Sequence, residues 1–140
     1  MRRVEIICTG NICRSPIGEV VLRAKLAEAG IDDVVVTSSG TGSWHVGDPM
    51  DPRAAAVLSR RGYDGSAHRA QQFRPGWFAE RDLVLAMDSG HLAALRGEAQ
   101  LFAEIDVPDP YYGEDDGFEE VLDQIEKAAD RWVDRLRQAD

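Results

Sequence analysis

Apolar residues along the chain switch between two periods, and the switches divide it into alternating strands and helices. Val4 to Ile7 is a short apolar run with the character of a buried strand. Pro16 suits the first position of a helix, and Ile17, Val20, Val21, Ala24 and Ala27 then recur at helical spacing up to a terminating Gly30. Asp33 to Ser39 reads as a second strand, whose uninterrupted Val34-Val35-Val36 suits a sheet covered on both faces. A loop follows over residues 40–47. Asp51-Pro52 then forms a cap and first helical residue, with Ala54, Val57 and Leu58 as the buried stripe and Arg60, Arg61 and Gly62 as the end.

Residues 63–80 show no sustained period and leave room for one short helix. Asp82 to Met87 is the third strand, and Asp88 is placed to cap a short helix carrying Leu92 and Leu95. Leu101 to Asp106 is a weaker fourth strand. Asp116, with Glu119 three residues on, marks the start of the last helix. Phe118, Leu122, Ile125, Ala129, Trp132 and Leu136 form its apolar face. Strands alternating with helices predict an α/β fold, a four-stranded parallel sheet with helices on both faces. The 140 residues are expected to form a single domain, 1–140. In such sheets ligands bind beyond the carboxyl ends of the strands.

Composition narrows the classes of function. The formal charge of −9 argues against nonspecific binding to nucleic acid or to an anionic membrane. No apolar run approaches the roughly 18 residues a membrane span needs. Met1-Arg2-Arg3 leads straight into a strand rather than a secretory leader. Two cysteines five residues apart are not a secreted disulfide framework, so the expected setting is a reducing cytoplasm.

Both cysteines fall in Cys8-Thr9-Gly10-Asn11-Ile12-Cys13-Arg14-Ser15, between the first strand and the first helix. A turn of this kind aims backbone N–H groups inward, and the helix adds its positive end, which makes an anion site. Gly10 permits close backbone approach and Asn11 tolerates a left-handed conformation. Arg14 supplies a planar fork for two phosphate oxygens. A thiol at a helix N-terminus beside an arginine ionises readily, and the Ser15 hydroxyl can donate to the Cys8 thiolate. The loop thus prepares a nucleophile beneath a bound tetrahedral anion. A structural zinc would need two further ligands, and no second cysteine pair or histidine cluster supplies them, so no metal is expected. A proton donor for the leaving group must come from elsewhere, and Asp106, Asp109, Glu114, Asp115 and Asp116 all stand near the last loop.

The chain resembles the low-molecular-weight protein tyrosine phosphatases over nearly its whole length. The likeness rests on "CTGNICRSP", "SSGTGSWHVGDPMDPRA", "SAHRA", "AMD" and "VPDPYYG". It implies hydrolysis of phosphotyrosine in proteins, or of other aryl phosphates, without a cofactor or metal. Cys8 is then the nucleophile that forms a cysteinyl-phosphate, with inorganic phosphate as product and competitive ligand. Thr9, Gly10, Asn11, Ile12, Cys13, Arg14 and Ser15 hold the phosphate, and the resemblance selects Asp109 as general acid and base. It assigns Ser38 and His68 to support of the loop around Asn11, and Cys13 as a redox partner of Cys8. Ile12, Trp44, Tyr111 and Tyr112 become candidate cleft walls, the two tyrosines also candidate phosphorylation sites. Asp88 matches a family acid, though a helix cap explains it equally. Arg53 reads as a surface partner of nearby acids and His91 as exposed helix decoration.

Within this fold, an arsenate reductase would need relay cysteines after Cys13, and there are none. Phosphoarginine phosphatases of the fold carry threonine where this chain has Ile12, whose apolar side chain suits an aryl ring better. Two other classes are weighed as well, a noncatalytic phosphate-binding module and a thiol–disulfide redox protein. The first needs neither thiol nor acid.

Overall fold

The computed structural model describes residues 1–95, 99–111, 113 and 115–138, with the backbone alone at 115 and 116. Its strands are β1 (Arg2–Cys8), β2 (Val34–Gly40), β3 (Leu83–Ala86) and β4 (Gln100–Leu101). They form one parallel sheet in the order β2-β1-β3-β4. Its helices are α1 (Arg14–Glu28), α2 (Pro52–Arg60), α3 (Ser89–Leu95) and α4 (Asp115–Gln138), with a 3-10 helix at Pro75–Glu80 inside the irregular stretch. This is the α/β architecture the alternating periods predict.

The central strand β1 is apolar on both faces. Val4, Ile6 and Cys8 join one core with Ile17, Val21 and Leu22 of α1, Leu58 of α2 and Phe118, Leu122 and Ile125 of α4. On the opposite face Ile7 packs with Phe73 and Val84 under Trp77 and Phe78 of the 3-10 helix and Leu95 of α3. Strands sandwiched in this way cannot alternate polar and apolar residues. The exception is Glu5, fully buried and held by Arg81 at 2.8 Å and by the Thr37 hydroxyl. No helix among the described residues is long and apolar enough to cross a membrane.

Element ends follow local chemistry. Asp51 accepts the Arg53 N–H at 2.8 Å with Pro52 as first residue of α2, and Gly62 at φ 86° lets the chain turn after it. Helix α1 begins at Arg14, two residues before the expected start, so Pro16 sits in the first turn, where an N–H has no intrahelical acceptor. The fourth strand is Gln100–Leu101 rather than Leu101 to Asp106. Its successors bend away because Phe102 and Ala103 turn into the core and Trp132 Nε1 donates to the Phe102 carbonyl at 2.7 Å.

Parallel register decides where the site lies. Cys8 pairs with Gly40, the last residues of β1 and β2, and the loop from β1 to α1 starts at that edge. An added Cβ on Gly40 would lie 2.6 Å from the Thr9 carbonyl oxygen and 3.1 Å from the Asn11 nitrogen. The end of β2 is therefore the backing wall of the loop.

Candidate active site

Asn11 is the only described non-glycine residue with positive φ, at 59°. Its side chain converts that bend into a bracket. Nδ2 donates to Ser15 Oγ at 2.8 Å and to Ser38 Oγ at 3.0 Å, and Oδ1 accepts the Gln71 N–H at 2.9 Å. The Asn11 carbonyl accepts from His68 Nε2 at 2.6 Å. Burial holds the His68 imidazole below its ordinary value, against the pull of that carbonyl, so the ring is a neutral donor near pH 7. Ser38 Oγ itself donates to Glu19 Oε1 at 2.6 Å. The structure thus brings Asn11, Ser15, Ser38 and His68 into one polar lattice behind the loop. Gln71 and Glu19 belong to it too, although neither carries a role in the sequence reading.

In front of this lattice Cys8 is 3% exposed and its Sγ lies 2.9 Å from Ser15 Oγ. Ser15 accepts from Asn11 and has a second acceptor, the Ser39 carbonyl at 3.3 Å. Its single proton therefore chooses between a backbone oxygen and the sulfur, and an ionised sulfur attracts it. Cys8, Thr9, Gly10, Ile12, Cys13 and Arg14 line a cavity of about 400 Å³ with Trp44, His45, Asp109 and Tyr111. Tyr112 and Glu114 lie outside the described residues, as do the side chains of Asp115 and Asp116.

Arg14 is 3% exposed, and both arms of its fork are held. Nη1 donates to Asp88 Oδ2 at 2.8 Å and to the Val107 carbonyl at 3.0 Å. Nη2 donates to Thr9 Oγ1 at 3.3 Å and lies 3.5 Å from Asp109 Oδ2. Asp88 does both things the sequence left open. Its Oδ1 accepts the His91 N–H at 2.8 Å as a cap, while Oδ2 pairs with Arg14. Burial opposes its charge, but the His91 N–H and Arg14 outweigh that and hold the carboxyl below the usual range.

Of the two candidate acids whose side chains are described, only Asp109 reaches the cavity. Its Oδ1 accepts the Tyr111 N–H at 3.0 Å, which turns Oδ2 toward Arg14. Asp106 instead accepts from the Ser89 N–H at 3.1 Å and its hydroxyl at 2.8 Å.

The cleft walls are of two kinds. Ile12 is buried beside Cys13, whereas Trp44 is 74% exposed, its ring lying where a Cβ on Gly42 would stand. Arg53 stacks over Tyr111 at 5.4 Å and pairs with Asp51 at 3.1 Å, so it braces the wall as well as the helix cap. Burial, reinforced by Asp51, pushes the Cys13 thiol up, so Cys13 stays protonated.

His91 departs most from its sequence reading. It is not exposed decoration but 6% exposed, with Nε2 2.7 Å from Thr9 Oγ1 and 3.5 Å from Arg14 Nη2. A seven-residue helix has too few turns for its periodicity to reveal an inward face, so nothing local marked the residue.

A buried cysteine at a strand end and a buried arginine with both arms held line one cavity. The family model for low molecular weight phosphotyrosine protein phosphatases matches residues 3–140. The chain belongs to that family. The low molecular weight protein-tyrosine-phosphatase of Streptomyces coelicolor is 47% identical over 146 residues, covering 91% of this chain and 88% of the relative. A low molecular weight phosphotyrosine phosphatase structure from Vibrio cholerae superposes with a TM-score of 0.92 at 32% identity, covering 100% of both chains. The Wzb protein of Vibrio vulnificus, solved with benzylphosphonate, gives 0.87 at 32% identity over 96% of this chain and 98% of its own. Members of this family are named protein-tyrosine phosphatases, which are hydrolases.

Proposed function

We propose that this phosphatase cleaves aryl phosphate esters, phosphotyrosine in proteins above all, by covalent catalysis from Cys8. The observation that carries the reading is the shared cavity. Cys8 and Arg14 line it with Asp109, whose Oδ2 lies 3.5 Å from Arg14 Nη2. Cys8 Sγ attacks phosphorus as the bond to the phenol oxygen breaks, and Asp109 gives that oxygen its proton. Arg14 and the amides of residues 9 to 14 hold the three equatorial oxygens, where the charge spreads in the transition state. Asp109, now a carboxylate, takes a proton from water as its oxygen attacks the cysteinyl-phosphate. The P–S bond breaks, inorganic phosphate leaves, and the Ser15 hydroxyl donates to the returning thiolate.

Asn11, Ser38 and His68 act by fixing the loop rather than by touching substrate. Ile12, Trp44 and Tyr111 offer apolar and aromatic surface to the substrate ring, and the benzylphosphonate bound by the Vibrio vulnificus relative is an arm of that shape. Cys13 serves as resolving thiol. Peroxide converts the Cys8 thiolate to a sulfenic acid, and Cys13 condenses with it to a disulfide with loss of water. No nucleic acid or membrane partner enters this reading, and the reducing cytoplasm remains its setting.

Cys8→Ser is expected to abolish turnover while retaining phosphate and vanadate binding. Asp109→Asn is expected to slow turnover most for esters with poor leaving groups, all with a chelator present. An Asp109→Asn enzyme that hydrolyses those esters at the parental rate would move the acid to another residue. Preference for phosphoarginine over phosphotyrosine would overturn the substrate class.

A further inference from the structure

The two arms of Arg14 are joined by a closed circuit of side chains. Nη2 donates to Thr9 Oγ1 at 3.3 Å, and Thr9 Oγ1 meets His91 Nε2 at 2.7 Å. His91 Nδ1 faces Asp88 Oδ1 at 3.2 Å, and Asp88 Oδ2 accepts from Nη1 at 2.8 Å. We propose that His91 is a positioning residue for the phosphatase reaction, bracing the edge of Arg14 that meets the equatorial oxygens.

The proton count around the circuit is consistent in one direction. Arg14 only donates, so Thr9 accepts from it and spends its own proton on His91 Nε2. The ring then carries its hydrogen at Nδ1, the side that faces Asp88. That atom is buried and has no aligned hydrogen bond, although Asp88 Oδ1 lies 3.2 Å away. Asp88 meets Nδ1 through charge rather than through a linear bond. The ring can accept at Nε2 only while neutral. The charged groups around it are Arg14 from α1, Asp88 ahead of α3, and Asp106 and Asp109 from the segment after β4. Burial and Arg14 together hold the imidazole below its ordinary value, against those carboxylates.

The arrangement separates two tasks. Asp88 and the Val107 carbonyl anchor Nη1, while Thr9 and His91 set the rotation of the guanidinium plane through Nη2. A tilted plane still attracts a phosphate by its charge. It fits the planar equatorial oxygens of the transition state less well. His91 should therefore matter more to the reacting state than to the ground state.

This inference rests on the phosphatase reading, and its test keeps the two apart. Turnover of an aryl phosphate by the parental chain checks the reading itself; no turnover would remove it. In His91→Leu, kcat/KM is expected to fall about 10-fold, the scale of one hydrogen bond lost at a charged group. Inhibition by vanadate, which adopts the trigonal bipyramid, should weaken by a similar factor, and inhibition by phosphate by less than about threefold. His91→Asn, which restores a polar amide, should recover most of the loss. Thr9→Val breaks the circuit one link earlier and should reproduce the pattern, with the double variant no worse than the poorer single one. Parental kcat/KM in a folded His91→Leu, or equal weakening of vanadate and phosphate, overturns the assignment. If His91→Leu does not fold, Thr9→Val decides: a parental vanadate constant there overturns it equally.

Discussion

Gly40→Ala tests whether the phosphate loop is braced by the sheet. The new Cβ would stand 2.6 Å from the Thr9 carbonyl oxygen and 3.1 Å from both the Asn11 nitrogen and the Gly10 carbonyl carbon. All three are backbone atoms, so no side chain can swing aside. Ordinary contact begins at 3.4 Å, so the loop must retreat by roughly 0.8 Å. The Thr9 oxygen cannot retreat freely, because it accepts the Gly42 N–H at 3.0 Å while the neighbouring Cys8 oxygen accepts the Thr41 N–H at 2.9 Å. Overpacking of this kind costs about 1–3 kcal/mol. A shift near 1 Å in a reacting geometry lowers turnover by about 100-fold. Steady-state hydrolysis of an aryl phosphate and a denaturant melt, run side by side, read both quantities. Gly76→Ala is the control, since nothing lies within 4 Å of its Cβ and its φ is not positive; it should leave kcat unchanged. A folded Gly40→Ala with kcat within about threefold of the parent would refute the reasoning.

Asn11→Ala removes three hydrogen bonds and places alanine at φ 59°, and is expected to destabilise by about 3 kcal/mol and to cut turnover sharply. Asn11→Gly keeps the bend without strain, so it should lose less stability; a parental melt for Asn11→Ala would reject the bracket. Stability should also fall as pH drops below about 6.5, because the unfolded chain binds protons that buried His68 and His91 refuse. The slope is at most about 1.4 kcal/mol per pH unit for each histidine, and urea melts between pH 7.5 and 5.5 should flatten in His68→Gln.

Local chemistry placed much of this protein before any tertiary contact was known. Hydrophobic period separated β1, α1, β2, α2, β3 and α4, because a strand buried on both faces and a helix with one apolar stripe leave different marks on sequence. The run from Cys8 to Ser15 announced an anion site by itself, since the thiol, glycine, asparagine and arginine lie within one turn. Short elements left weaker marks. The fourth strand shrank to two residues because Phe102 and Ala103 answer to the core rather than to strand pairing, and α3 was too brief to show which side His91 faces.

What only the folded chain decided is which distant groups surround that turn. Parallel pairing sets Gly40 against the loop, and the ends of β3 and β4 deliver Asp88, His91, Val107 and Asp109 to one arginine across 74 to 95 residues of sequence. Sequence spacing carries no record of such encounters, because they depend on strand order and on where each crossover returns the chain. The proposed nucleophile and the loop around it are local, so they are legible in sequence. The orientation of Arg14 is a property of three separate segments meeting, and it exists only in the tertiary structure.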